Sequence, residues 1–125
     1  MAEKFRNRQM AEMAEALEKH LDRRDVIGYA AARNTRLLRE ELTEYSEKIR
    51  ELVNEHGVPD LDDGGAPTGS VSLPFGSDGF KRFMEAIAPF ADIEHEPPIF
   101  KVKYSEAIGA LSGKELLEID WMFED

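Results

Sequence analysis

Residues 26–56 decide the fold of this chain, and they read VIGYAAARNTRLLREELTEYSEKIRELVNEH. Apolar side chains recur in this stretch four and three residues apart, namely Leu38, Leu42, Tyr45, Ile49 and Leu52. This spacing is the seam of a helix that packs lengthwise on a partner. Asp25 is placed to cap the helix at its start. Gly57 and Pro59 mark its end, since glycine closes a last turn and proline cannot continue it. The sequence therefore predicts one long helix.

A shorter helix is predicted before this stretch, over about residues 7–22. Its apolar residues share the spacing of one helix face: Met10, Met13, Ala14, Leu17 and Leu21. A polar turn at 22–25 joins the two helices, so they are expected to pack as an antiparallel hairpin. The second helix is longer than the first, and its last turns lack a partner within the hairpin. Either the rest of the chain or a second subunit must cover the apolar side chains there.

Residues 57–70 read GVPDLDDGGAPTGS and predict an acidic, mobile loop, because glycine and proline interrupt regular structure. The aspartates of this loop resemble the start of a calcium-binding loop. With Asp60 at the first position, however, the fifth position is Gly64 and the twelfth is Val71, where a bidentate glutamate is needed. No calcium site is therefore expected here.

The remaining residues, 71–125, predict short strands and two short helices. Ser77 or Asp78 is placed to cap the first of these helices. Ser112 and Glu115 form the pattern of a capping box, in which the two side chains bond reciprocally to the backbone at the start of the second helix.

These segments together predict an α+β fold, an N-terminal antiparallel helical hairpin packed on a small β-sheet with two short helices. A chain of 125 residues fits one domain. That domain is expected to comprise the hairpin at 1–56, the acidic loop at 57–70 and a small α/β region at 71–125.

Charge and composition exclude several function classes. The chain has no cysteine, so disulfides, zinc–thiolate sites and thiol nucleophiles are excluded. The net charge is −10, and residues 57–125 carry −9 of it, with 5 basic and 14 acidic side chains. Nucleic acid and anionic membranes are therefore unlikely partners. The acidity either keeps the protein soluble, or forms a surface that meets a basic protein or imitates nucleic acid.

No catalytic constellation is evident in the sequence. The three histidines, His20, His56 and His95, lie far apart along the chain and in no metal-ligand motif. Nor is a serine found in a nucleophile elbow or a glycine-rich loop followed by Gly-Lys-Ser/Thr. We therefore expect no catalytic residues, no cofactor and no metal, and the protein is not expected to be an enzyme.

Polar residues on the long helix suggest structural roles. Arg33, Arg36 and Arg39 form a basic stripe, but glutamates follow at once and cancel its field. We interpret the stripe as a solvated face, with phosphate contact as the alternative. Asn34 lies beside the apolar seam, where it can either fix the register of a helix pair or cap the backbone of a packed loop.

The organisation of the chain resembles that of a known family. Residues 27–34 read IGYAAARN and open a long helix that ends near Gly57, and residues 111–117 read LSGKELL and open a capped terminal helix with an acidic end. In these features the chain resembles a family of small phage and prophage proteins of unknown function. The resemblance covers most of the chain except residues 57–70. It implies a phage or prophage origin and a product that acts in the cytoplasm of the bacterial host or in the virion.

The function we expect from these observations is that of a non-enzymatic protein-interaction module, associating with itself or with a helical protein partner. Its expected interface residues are Tyr45, Ile49, Leu52, Val53 and Trp121. Trp121, the only tryptophan, either packs against a second surface such as the start of the first helix or stands partly exposed as an anchor. One alternative is an acidic inhibitor or nucleic-acid mimic acting on a host protein. Another is a small enzyme with an unrecognised carboxylate site at Glu118 or Asp120.

Overall fold

The computed structural model describes residues 3–125, and this part of the chain is 59% helical and 15% strand. The fold is therefore α+β, as predicted. The described residues form two compact units. The first unit holds the residues up to Leu42 together with Glu94–Asp125, and the second holds Thr43–Ile93.

Two helices build the centre of the first unit. Strand β1 (Phe5–Arg6) leads into helix α1 (Asn7–Leu17), and a 3-10 turn (Glu18–His20) then leads towards helix α2 (Val26–Glu41). Helix α1 packs against α2. The core between them is made by fully buried apolar side chains: Met10, Leu17, Ile27, Ala30, Ala31 and Leu38. The predicted cap of α2 is confirmed, since the Asp25 carboxylate accepts a hydrogen bond from the Gly28 amide at 3.1 Å.

The predicted single helix over 26–56 is wrong, because the chain breaks at Leu42. There the backbone leaves the helical conformation (φ −89°, ψ 0°), and helix α3 (Thr43–His56) begins at the next residue. Leu38 and Leu42 are buried in the first unit, whereas Leu52 is buried in the second. The continuous apolar seam therefore serves two separate cores. Neither glycine nor proline marks the break, so the sequence pattern does not reveal it.

The stretch expected to be a mobile loop, 57–70, instead forms most of a β-hairpin. Strand β2 (Val58–Leu61) pairs antiparallel with β3 (Pro67–Ser72), with Val58 opposite Ser72. The Asp62 carboxylate closes the turn by accepting hydrogen bonds from the Gly64 and Ala66 amides, both at 2.9 Å. Strand prediction fails here because glycine, proline, serine and aspartate interrupt the few β-branched residues of the two strands.

Helix α4 (Asp78–Ala91) completes the second unit. The Ser77 hydroxyl caps it by accepting a hydrogen bond from the Phe80 amide at 3.1 Å, which confirms one of the two predicted caps. Helix α3 packs against α4. A β-carbon on Gly79 would lie 2.2 Å from the His56 carbonyl oxygen. The first turn of α4 can therefore lie this close to the end of α3 only because Gly79 has no side chain.

Short elements complete the first unit. Strand β4 (Glu94–His95) pairs antiparallel with β1, and β5 (Val102–Lys103) pairs parallel with β6 (Phe123–Glu124). Between β5 and β6 lie helices α5 (Tyr104–Ala107) and α6 (Gly113–Ile119). The described strands thus form separate two-stranded ladders rather than the single small sheet expected. The capping box is confirmed: Ser112 N donates to Glu115 Oε1 at 3.0 Å, and Glu115 N donates to Ser112 Oγ at 3.1 Å.

Candidate functional site

Trp121 lies in a 3-10 turn (Asp120–Met122) that directly follows α6. Its neighbours Ile119, Met122 and Phe123 are buried, whereas Trp121 itself is half-buried. The Trp121 carbonyl accepts a hydrogen bond from Lys101 Nζ at 2.5 Å. The backbone on both sides of the ring is therefore anchored, and the ring is held at the protein surface.

The Trp121 ring borders an open recess of about 260 Å³, here called the Trp121 recess. The recess is lined by six residues: Phe5, Gln9, Glu12, Met13, Glu118 and Trp121. Two aromatic rings and a thioether form its apolar part, and two carboxylates and an amide form its polar part. The Trp121 ring thus lies beside residues of the first turns of α1 and remains partly exposed, which combines the two alternatives expected for it.

The two carboxylates of the Trp121 recess differ in their surroundings. Glu118 forms an ion pair with Lys19, and the hydrogen bond from Lys19 lowers the pKa of the Glu118 carboxyl. Glu12 is exposed and has no hydrogen-bond or ion-pair partner within residues 3–125. Glu12 therefore has no direct ion pair with any side chain that the structure describes.

A second recess, of about 490 Å³, adjoins the first and is here called the Arg6 recess. Its lining consists of Lys4, Arg6, Arg8, Gln9, Glu12 and Glu94. Gln9 and Glu12 line both recesses, so the two lie side by side. Gln9 is held in place because its Oε1 accepts a hydrogen bond from the Arg6 amide at 2.8 Å. With three basic and two acidic side chains, this lining has a net charge of +1 in a chain of −10.

The other predicted interface residues, Tyr45, Ile49, Leu52 and Val53, all lie on α3 in the second unit. Leu52 is buried, and the other three are half-buried. Since α3 packs against α4, the chain itself covers much of the seam that was expected to need a partner. Self-association through the remaining exposed part of this seam stays a prediction.

The histidines lie in unlike environments. His20 is 1% exposed, its Nε2 has no hydrogen-bond partner among the described residues, and burial lowers its pKa. His95 Nδ1 lies 2.9 Å from a Glu41 carboxylate oxygen. His56 is half-buried near the end of α3. Within residues 3–125, no three histidine, aspartate or glutamate side chains come together as metal ligands.

The two carboxylates proposed for a small enzyme have structural partners. Asp120 Oδ1 accepts a hydrogen bond from the Tyr104 hydroxyl at 2.8 Å, which raises the pKa of Tyr104. Glu118 is paired with Lys19, as described above. In both cases the carboxylate is engaged by a side chain that holds it in place.

Asn34 caps a packed loop, which was one of its two predicted roles. Its amide donates to the Phe100 carbonyl oxygen at 2.9 Å and accepts from the Phe100 amide at 2.8 Å. The Arg33 guanidinium lies over the Phe100 ring, 4.5 Å from its centroid, and 5.9 Å from the centroid of the exposed Tyr29 ring. This arginine is thus engaged in a stacked surface cluster.

No family model, curated protein or solved structure matches this chain. None of the helices in residues 3–125 is long and apolar enough to cross a membrane.

The sequence interpretation missed Phe5, Gln9 and Glu12 as lining residues of the Trp121 recess. Met13 had been assigned to a core-facing stripe, and it is indeed buried, at 7% exposure. The available signal was the expectation that Trp121 meets the start of the first helix. Which side chains meet it depends on how the C-terminal segment returns to α1, and helical periodicity carries no information about that.

Proposed function

We propose that this protein is a non-enzymatic protein-interaction module and that the Trp121 recess is its docking site. The observation that carries the proposal is the position of the only tryptophan, half-buried beside Phe5 and Met13 in an open recess. Tryptophan is enriched among the residues that contribute most of the binding energy at protein interfaces. The Trp121 ring, which is half-exposed and lies beside apolar side chains, offers such an anchor.

The size and lining of the recess favour a protein partner over a small-molecule substrate. Enclosed ligand sites typically measure about 300–1,000 Å³ and bury most of their ligand. The Trp121 recess is open and measures about 260 Å³, which suits one or two side chains of a larger partner. Its carboxylates adjoin no nucleophile among the lining residues.

The rigidity of the recess also supports docking. The Trp121 turn lies between buried side chains, and Gln9 is hydrogen-bonded to the Arg6 backbone. A binding surface that is already ordered loses little side-chain entropy when a partner binds.

The proposed setting is a phage or prophage product acting in the bacterial host cytoplasm or in the virion, as the family resemblance implies. A second copy of this chain is the alternative occupant of the recess. Light scattering at micromolar concentration separates the two, because a dimer doubles the mass of 14.2 kDa. A monomer mass supports a different protein as partner.

A second candidate function is acidic inhibition of a host nucleic-acid-binding protein. Two observations favour it: residues 57–125 carry a net charge of −9, and hydrogen bonds that the Asp62 carboxylate accepts from the backbone hold an exposed acidic turn in one shape. If this candidate is right, charge reversal at Asp60 and Asp63 should abolish capture of the partner, whereas changes at Trp121 should not.

The test is affinity capture from phage-infected cells with three tagged proteins: wild type, Trp121→Ala and Leu117→Ala. Leu117 is 81% exposed on α6 and does not line the Trp121 recess, so it controls for loss of any nearby apolar side chain. The proposal expects one protein captured by wild type and Leu117→Ala but lost with Trp121→Ala. Circular dichroism confirms that each variant is folded. Equal capture by all three proteins would refute the docking site.

A further inference from the structure

We infer that the Trp121 recess recognises a cationic side chain, foremost the guanidinium of an arginine, on the surface of the partner. The inference rests on the proposed docking function and specifies its chemistry. Three observations carry it: the two aromatic rings, the Glu12 carboxylate without a direct ion pair in residues 3–125, and the net charge of the chain.

The aromatic rings of Phe5 and Trp121 supply one half of a cation site. The face of an aromatic ring is electrostatically negative, and it attracts a cation within about 6 Å of its centroid, most strongly when the ring is tryptophan. Met13 borders the recess but is only 7% exposed, so the methylene groups of a long side chain would pack mainly on the two rings.

Glu12 supplies the other half. Its carboxylate lines the recess and has no partner in residues 3–125, so an incoming cation does not have to displace an existing ion pair. Glu118, by contrast, shares its charge with Lys19. A guanidinium can donate two parallel hydrogen bonds to one carboxylate, which orients it as well as binds it.

The geometry favours arginine over lysine. A guanidinium is planar and weakly hydrated, so it can stack on a ring and bond to a carboxylate at the same time, whereas an ammonium group holds its water more strongly. The surface of this protein already contains the stacking part of this arrangement, since Arg33 lies over Phe100 at 4.5 Å and beside Tyr29.

The charge of the protein outside the Trp121 recess further defines the sequence expected of the partner. The net charge of −10 favours the approach of a basic segment over long range. The adjoining Arg6 recess, with its net charge of +1, disfavours a second cation on that side. The preferred segment therefore carries an arginine flanked on one side by neutral or acidic residues, rather than an unbroken basic run.

The test follows the single indole N–H signal of Trp121 in the full-length ¹⁵N-labelled protein. Three capped heptapeptides are titrated, identical except for arginine, lysine or citrulline at the centre. Citrulline has nearly the shape of arginine but no charge. We expect a saturable shift with arginine, a weaker one with lysine and none with citrulline. Glu12→Gln should weaken arginine-peptide binding roughly two- to fivefold, as for an exposed ion pair.

The matched control is Glu15→Gln, one turn further along α1, which removes an exposed carboxylate outside the Trp121 recess. It should leave the titration unchanged. Equal shifts with arginine and citrulline, equal effects of the two glutamate variants, or no shift with any peptide would each overturn the inference. Partner capture that depends on Trp121 would still uphold the docking function in those cases, so the two proposals fail separately.

Discussion

His20 shows how burial sets the charge of a single side chain. It is 1% exposed, and desolvation is the main cause that lowers its pKa, with the positive charges of Lys19 and Arg23 acting in the same direction. Glu115 and Glu118 act in the opposite direction and do not compensate. The folded protein therefore binds a proton at His20 less readily than the unfolded chain does.

We predict that the free energy of unfolding falls as pH drops below about 6.5, the value expected for the unfolded histidine. Where the unfolded histidine binds a proton that buried His20 does not, the folded state loses stability relative to the unfolded chain, so stability falls towards acid. The measurement is urea unfolding at pH 7.5, 6.5 and 5.5. His20→Gln should flatten this dependence.

Because the pKa values of Glu115 and Glu118 are also lowered, those carboxyls titrate below this window. Parallel pH profiles for the two proteins would count against the account.

At the scale of elements, the start of α6 depends on reciprocal hydrogen bonds between Ser112 and Glu115. We predict that Ser112→Ala lowers the free energy of unfolding by about 1 kcal/mol, because the Glu115 amide loses its acceptor. Ser46→Ala is the control, since Ser46 is exposed within α3 and caps no helix. Chemical unfolding of the three proteins measures the difference. If the midpoints of Ser112→Ala and wild type coincide, the cap contributes nothing.

The start of α4 depends on a glycine instead. A β-carbon at Gly79 would meet the His56 carbonyl oxygen at 2.2 Å, so Gly79→Ala forces the backbone apart. We predict a loss of roughly 1–3 kcal/mol in the free energy of unfolding, as for overpacked sites. Gly113→Ala is the matched control, because Gly113 also lies in the first turn of a helix, but no described residue comes within 4 Å of its added carbon. Thermal unfolding of both variants is the measurement. Equal stability of the two would contradict the close approach.

The elements also show what the sequence can and cannot predict. Caps are local, so Asp25, Ser77 and Ser112 could be assigned from spacing and side-chain chemistry alone. The break at Leu42 could not, because the apolar spacing continues through it while the packing changes from one core to another. The β-hairpin was missed for a similar reason: pairing of β2 with β3, and not the strand propensity of either, stabilises it.

At the scale of the whole molecule, the candidate site arises where distant segments of the first unit meet. Phe5 and Glu12 come from one end of the chain and Trp121 from the other. Sequence reasoning could identify Trp121 as a candidate anchor because a single tryptophan stands out. It could not identify the partners of Trp121, since neighbours more than 100 positions away follow only from the tertiary fold.

The central claim, that Trp121 anchors a partner in an open recess, is tested most directly by iodide quenching of its fluorescence. Because Trp121 is the only tryptophan, the signal reports on this site alone. We predict that iodide quenches the isolated protein and that quenching decreases when the captured partner is added. A blue-shifted emission that iodide does not quench in the isolated protein, or quenching that the bound partner leaves unchanged, would contradict the claim.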